Sequence, residues 1–103
     1  MTTVNIKKNG SLITEIEVKG HSGFAVSGKD IVCAAISAST ITTVNAILSL
    51  KKDTIKTETH DGYLRINTLK DCEITNKLLL NLEDMLKDIE KEYPKYLKIN
   101  IGG

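Results

Sequence analysis

The sequence predicts a small α+β fold in the order ββαββαβ, a mainly antiparallel or mixed sheet packed with two helices. Three observations predict it. Asn9-Gly10 and Asp61-Gly62 each separate two runs rich in strand-forming residues, the strongest short-range hairpin signal. An uncharged stretch, Ile31 to Leu50, follows the first pair of runs. An amphipathic stretch, Asp71 to Tyr93, follows the second. Hairpins join antiparallel strands, so two of them exclude an all-parallel sheet.

The elements follow in order. Thr3 to Lys7 and Leu12 to Val18 flank Asn9-Gly10. In the second run Leu12, Thr14, Ile16 and Val18 alternate with Ile13, Glu15, Glu17 and Lys19, the pattern of a half-buried strand. Lys19 to Lys29 contains Gly20, Gly23 and Gly28 and reads as a loop. Asp30 is a natural N-cap, because its carboxylate accepts from backbone N–H groups two or three positions on. A helix from about Asp30 to Leu50 is expected, although Thr40, Ile41, Thr42, Thr43 and Val44 lower its intrinsic propensity. Thr54 to Thr59 and Tyr63 to Thr68 form the second hairpin. Leu78, Leu82, Met85 or Leu86, Ile89 and Tyr93 recur at helical spacing, and charges, with Glu83 and Lys87 one turn apart, are expected on the other face. Pro94 stops this helix. Tyr96 to Ile101 is the last strand.

Composition bounds the function. The chain has 103 residues, which fits one domain over 1–103. Its formal net charge of +1 argues against direct nucleic-acid binding held by bulk charge. The N-terminal residues show no basic region followed by an apolar one, so no signal peptide is expected, and a reducing cytoplasm is the default. Cys33 and Cys72 are then expected as thiols. The stretch Ile31 to Leu50 carries Ser37, Ser39, Thr40, Thr42, Thr43, Asn45 and Ser49. That is too polar for a lone membrane span, so it reads as a buried or interface helix.

The neighbourhood of Cys33 is the most informative chemistry. With Asp30 as N-cap, Cys33 falls in the first turn, where unpaired N–H groups and the helix dipole favour a thiolate. The same groups would hold an oxyanion. Asp30 acts in the opposite direction, unless a cation such as a protonated histidine sits between them. His21, twelve residues before Cys33, is the candidate. Ser37 lies one turn after Cys33 on the same helix face. On the residues alone the alternatives stay open: Cys33 as a core thiol, His21 as an idle surface group, Asp30 as a cap only, Ser37 as a small packing residue.

The string G-H-S-G at Gly20 to Gly23, followed by D-I-V-C-A-A-I-S at Asp30 to Ser37, resembles the paired signature of the bacterial ribosomal-processing cysteine proteases, the Prp family. Chain size and element order are similar too. The resemblance implies a Cys–His dyad of Cys33 and His21, with Asp30 and Ser37 in support. It implies that the loop from about Gly20 to Lys29, with Gly20, Ser22, Gly23 and Gly28, closes over a peptide. It implies removal of the N-terminal extension of a large-subunit ribosomal protein during ribosome assembly, by a homodimer without a cofactor. The Ile31 to Leu50 helix and the second helix are the surfaces expected to form the dimer.

Other readings are weaker. Gly23 to Asp30 almost spells a phosphate-binding loop, but Asp30 stands where a magnesium-binding hydroxyl belongs. His21, Cys33, His60 and Cys72 lack zinc-ligand spacing, so no metal is expected. His60 precedes the Asp61-Gly62 turn and is expected to be exposed. Cys72, near the start of the second helix, is expected to pack. A non-catalytic ribosome-associated binding module and a thiol redox protein are the alternatives; the absence of C-x-x-C weakens the second.

Overall fold

Alternation along the strands and the two glycine turns organise the sheet. The computed structural model describes the backbone of residues 1–20 and 27–103 and the side chains of residues 1–20 and 31–103. Its elements are β1 (Thr2–Asn9), β2 (Leu12–Lys19), α1 (Ser27–Lys51), a 3-10 turn (Lys52–Thr54), β3 (Ile55–His60), β4 (Tyr63–Thr68), α2 (Glu73–Glu92) and β5 (Leu97–Gly102). The strands form one sheet in the order β3-β4-β2-β1-β5. The β1–β5 pair is parallel and the others are antiparallel, so the expected mixed sheet with two helices is found. Gly10 and Gly62 take the positive φ their turns require, 63° and 70°.

Val4, Ile6, Ile16, Val18 and Ile66 from the sheet, Val32, Ile36, Val44 and Ile47 from α1, and Leu79, Leu82 and Leu86 from α2 share one core. Full burial of such side chains contributes roughly 1.5–3 kcal/mol each. On the sheet's other face one residue per strand lines up in register: Asn100, Asn5, Glu17, Arg65 and Glu58. Asn100 donates to Asn5 (3.0 Å), Asn5 donates to Glu17 (3.0 Å), and Arg65 donates to Glu58. A polar row thus crosses the whole sheet on the face the helices leave open.

Three expectations are corrected. Strict alternation in β2 fails, because the register shifts where Lys7 pairs with Glu15 and Lys8 with Ile13. The extra residue, Thr14, is a β-bulge, and it turns Ile13 rather than Leu12 or Thr14 into the core. The bulge's backbone groups are satisfied from neighbouring elements: Asn76 accepts from the Ile13 N–H at 2.8 Å and Thr68 donates to the Ile13 carbonyl at 2.8 Å. In α2 the buried face carries Leu79, Leu82 and Leu86, while Met85 is exposed and Leu78 only partly covered. Glu83 also sits on the buried face, at 2% exposure. Lys8 of β1 and Lys87 each approach its carboxylate to 2.8 Å, so a non-local pair compensates a charge that spacing had placed in solvent.

The third correction concerns α1, which begins at Ser27 rather than at Asp30. An acidic residue is as favourable within the first turn as at the cap, so Asp30 did not fix the start. Gly28 therefore belongs to the helix and not to a loop. Later in α1 the threonine run is accommodated by hydrogen bonds to the preceding turn, Thr40 to Ile36 O (2.7 Å) and Thr43 to Ser39 O (2.8 Å). The span Ile31–Thr54 is long and apolar enough to cross a membrane by composition, with mean hydropathy 1.8. Here its apolar residues Val32, Ile36, Val44 and Ile47 enter the common core.

Candidate active site

The start of α1 at Ser27 changes the chemistry expected at Cys33. The first four N–H groups of a helix are the ones without an intrahelical acceptor. With Ser27 as the first helical residue, Cys33 lies in the second turn and its own N–H faces a carbonyl of the turn before. The dipole effect is largest in the first turn, so neither the thiolate nor an oxyanion draws on unpaired helix N–H groups at Cys33. Cys33 is half-buried, and so is Ser37, one turn on. Asp30 precedes Cys33 in the same helix. His21, Ser22 and Gly23 lie outside the described residues, as do the other members of the expected loop up to Val26.

Gly20 is where the chain leaves β2 toward His21. Its φ is +86°, a left-handed conformation that glycine adopts without strain. Its N–H donates to the Gly62 carbonyl oxygen at 3.1 Å. A Cβ on Gly20 would stand 2.9 Å from the Met1 carbonyl oxygen, closer than real side-chain contacts allow. Three segments meet here, the end of β2, the β3–β4 turn and the start of the chain, and only glycine fits between them.

Beside Ser37 a cavity of about 160 Å³ opens between α1 and the end of the β3–β4 hairpin. His60 and Tyr63, which close that hairpin, line it together with Ser37. His60 is exposed, as expected, and its Nε2 lies 2.7 Å from Glu58 Oε2. Its ring stands tilted against Tyr63, centroids 5.8 Å apart. The Tyr63 hydroxyl donates to Glu17 at 2.7 Å, which raises the phenol's pKa. Hydrogen bonds from Asn5 and Tyr63 hold the Glu17 carboxyl below its usual range. Sequence reasoning did not join His60 or Tyr63 to the site, because a contact between a hairpin end and a helix far away in the chain leaves no local signal.

Cys72 is the residue that precedes α2. The Thr75 backbone N–H, and then the Thr75 hydroxyl, lower its thiol pKa, although no cap hydrogen bond from its side chain meets full geometry. No disulfide joins Cys33 and Cys72. Among the described residues no group of three His, Cys, Asp or Glu side chains is placed to hold a metal ion.

Known proteins share this fold. Residues 1–98 match the family model described as cysteine protease Prp. The chain is 31% identical over 104 residues to the ribosomal processing cysteine protease Prp of Staphylococcus aureus, covering 97% of this chain and 98% of that one. A crystal structure of an essential ribosomal processing protease Prp from S. aureus with a substrate peptide superposes with TM-score 0.90 at 28% identity, covering 98% and 99% of the two chains. Another, with a covalently linked product peptide, gives TM-score 0.88 at 30% identity and the same coverage. The chain belongs to the Prp family, and it is a cysteine protease of ribosomal processing.

Proposed function

We propose that residues 1–103 act as a single protease domain that removes the N-terminal extension of a large-subunit ribosomal protein during ribosome assembly. In this reading Cys33 is the nucleophile and His21 its base. The observation that carries it is the pair of motifs around Gly20 to Gly23 and Asp30 to Ser37, in a chain that matches the Prp family over residues 1–98. The related S. aureus protease bound to a covalently linked product peptide supports a covalent route.

His21 takes the proton of Cys33 Sγ, and the sulfur attacks the scissile carbonyl carbon. The tetrahedral intermediate collapses as His21 returns the proton to the leaving amine and the C–N bond breaks. The acyl group stays on Sγ as a thioester. Water, losing a proton to His21, attacks that carbonyl and releases the carboxylate product and the thiol. Asp30 and Ser37 support the dyad, and the segment holding Gly20, Ser22 and Gly23 contacts the peptide. No cofactor enters these steps.

The enzyme works in the cytoplasm, where thiols stay reduced, and as a homodimer. A stripe on α1 supports the dimer: Ile31, Ala34, Ala38, Ile41, Asn45 and Leu48 recur at helical spacing and all are exposed. No charge interrupts it, the composition of a helix seam between two copies.

The test uses a peptide spanning the extension and its junction. The parent cleaves it at one bond. Cys33→Ala and His21→Ala are expected to lose about 10⁴-fold or more in kcat. Cleavage by Cys33→Ala at the parent's rate overturns the mechanism. Tight binding without turnover by the parent would favour the non-catalytic binding module.

A further inference from the structure

We propose that the open face of the sheet is a docking surface for RNA, held through the phosphates of its backbone. This goes beyond the protease chemistry and does not depend on which residues form the dyad.

The net charge of +1 averages two unlike faces. α2 alone carries six carboxylates and three lysines. The sheet face that the helices leave open carries the opposite excess, and strand register fixes where its charges stand. Lys98 and Lys19 share one row, with Thr3 between them. Lys7 and Lys56 share another row four residues along, with Glu15 and Asn67 between them. The polar row from Asn100 to Glu58, which includes Glu17 and Arg65, runs midway between the two. Five cations thus face three carboxylates.

Exposure and hydrogen bonding tip the balance further. Lys7, Lys19, Lys56 and Lys98 are exposed, whereas Glu15, Glu17 and Glu58 are half-buried. Both oxygens of Glu17 already accept, one from Asn5 at 3.0 Å and one from the Tyr63 hydroxyl at 2.7 Å. Those of Glu58 are taken by Arg65 and His60. Lys7 and Lys19 approach Glu15 and Glu17 only to 3.6 and 3.8 Å, with side chains 61% and 52% exposed. Exposed pairs of this kind contribute little, so both ammonium groups can turn outward at small cost. A polyanion arriving here meets ammonium groups first and carboxylates that already have donors.

Spacing selects the kind of anion. Neighbouring strands lie roughly 4.8 Å apart and residues advance roughly 3.3 Å along a strand, so each of the four lysines stands roughly 10–16 Å from the next. One small anion cannot reach across such a frame; a chain of phosphates can. No aliphatic side chain stands in these rows, so a lipid surface finds nothing to bury. RNA is the polyanion that a protease of ribosomal processing meets at its work. Backbone contacts of this kind position a protein without reading sequence. The exposed α1 stripe lies on the other side of the sheet, so a dimer formed through it leaves both sheet faces open.

The experiment uses the full chain and a fluorescent oligouridylate of about 20 nucleotides, followed by anisotropy as salt rises from about 50 to 200 mM. The expected Kd is about 10–100 µM at the lower salt. With about four phosphates neutralised, affinity should fall about 50-fold by the higher salt. The triple variant Lys7→Gln, Lys56→Gln, Lys98→Gln should bind at least about tenfold more weakly at low salt and lose only about threefold further across the range. Each single substitution should cost about two- to threefold, and arginine at the same three positions should bind as the parent does. Lys77→Gln with Lys91→Gln on α2 should leave Kd within about twofold. All these variants should cleave the extension peptide with kcat/KM within about twofold of the parent, which shows that they fold; the single variants decide the matter if the triple one does not. No binding at low salt, or equal weakening by the sheet and α2 substitutions, overturns the proposal. Phosphatidylglycerol vesicles or polyglutamate bound as tightly as the RNA overturn it too. Cleavage that survives Cys33→Ala would overturn the protease reading and leave the RNA measurement intact.

Discussion

The backbone N–H of Gly20 donates to the Gly62 carbonyl oxygen at 3.1 Å, so the residue before His21 is fixed by the turn that also carries His60 and Tyr63 toward Ser37. Gly20→Ala would bring a Cβ to 2.9 Å from the Met1 carbonyl at a φ of +86°. The left-handed conformation alone costs about 1–2 kcal/mol for a residue with a side chain. The expected outcome is a loss of about 1–3 kcal/mol in urea unfolding. In protein that is still folded, kcat/KM for the extension peptide should also fall. Unchanged stability would mean that the β2 exit is not built as described.

The two cysteines should separate cleanly. Cys72→Ala is expected to keep kcat/KM within about twofold, whereas Cys33→Ala abolishes cleavage. The Thr75 N–H lowers the Cys72 pKa. In Cys33→Ala protein the remaining thiol should therefore alkylate with a midpoint below that of an ordinary cysteine, about 8.5. A midpoint at or above that value counts against the Thr75 contact.

Glu83 sets an acid limb for stability. Burial pushes its carboxyl up, and hydrogen bonds from Lys8 and Lys87 more than offset this, leaving it below its ordinary 4.5. A carboxyl depressed in the folded state contributes stability above its unfolded value and loses it as pH falls through the folded one. Glu83→Gln should therefore cost about 1–3 kcal/mol at pH 7. The gap between parent and variant should narrow below pH 4. Urea midpoints at pH 7 and pH 3.5 test the sign, and a gap that widens in acid contradicts it.

The α1 stripe predicts self-association. Ala38→Glu and Leu48→Asp place charge at exposed positions of that stripe, so each isolated fold should keep its melting temperature within a few degrees. Sedimentation should shift from dimer for the parent to monomer for the variants. A parent that sediments as a monomer at high micromolar concentration removes the seam.

Much of this was legible in the sequence, and the exceptions share a cause. Asn9-Gly10 and Asp61-Gly62 announced both hairpins because a turn's φ demands are local. Pro94 marked the end of α2 for the same reason. The face of β2 was misread at Ile13, because a bulge is stabilised by Asn76 and Thr68 from far along the chain. Glu83 was misplaced because its partner, Lys8, stands on another element. At the site, Cys33 and Ser37 were readable as one helix face, yet the helix start was not, since Asp30 suits the first turn as well as the cap. His60 and Tyr63 were invisible as neighbours of Ser37, because hairpin and helix meet only in the finished fold.

The parallel pairing of β1 with β5 has a consequence for how the chain is made. Thr2 faces Leu97 and Asn5 faces Asn100, so β1 waits for a strand that is translated long after it. Contacts this distant in sequence close late and slow folding. Until β5 emerges, β1 is an open edge with unpaired N–H and C=O groups, a template for other strands. A nascent chain stalled before Leu97 should thus be vulnerable to aggregation. Full protection of the β1 amides from hydrogen exchange should appear only after the final strand has joined.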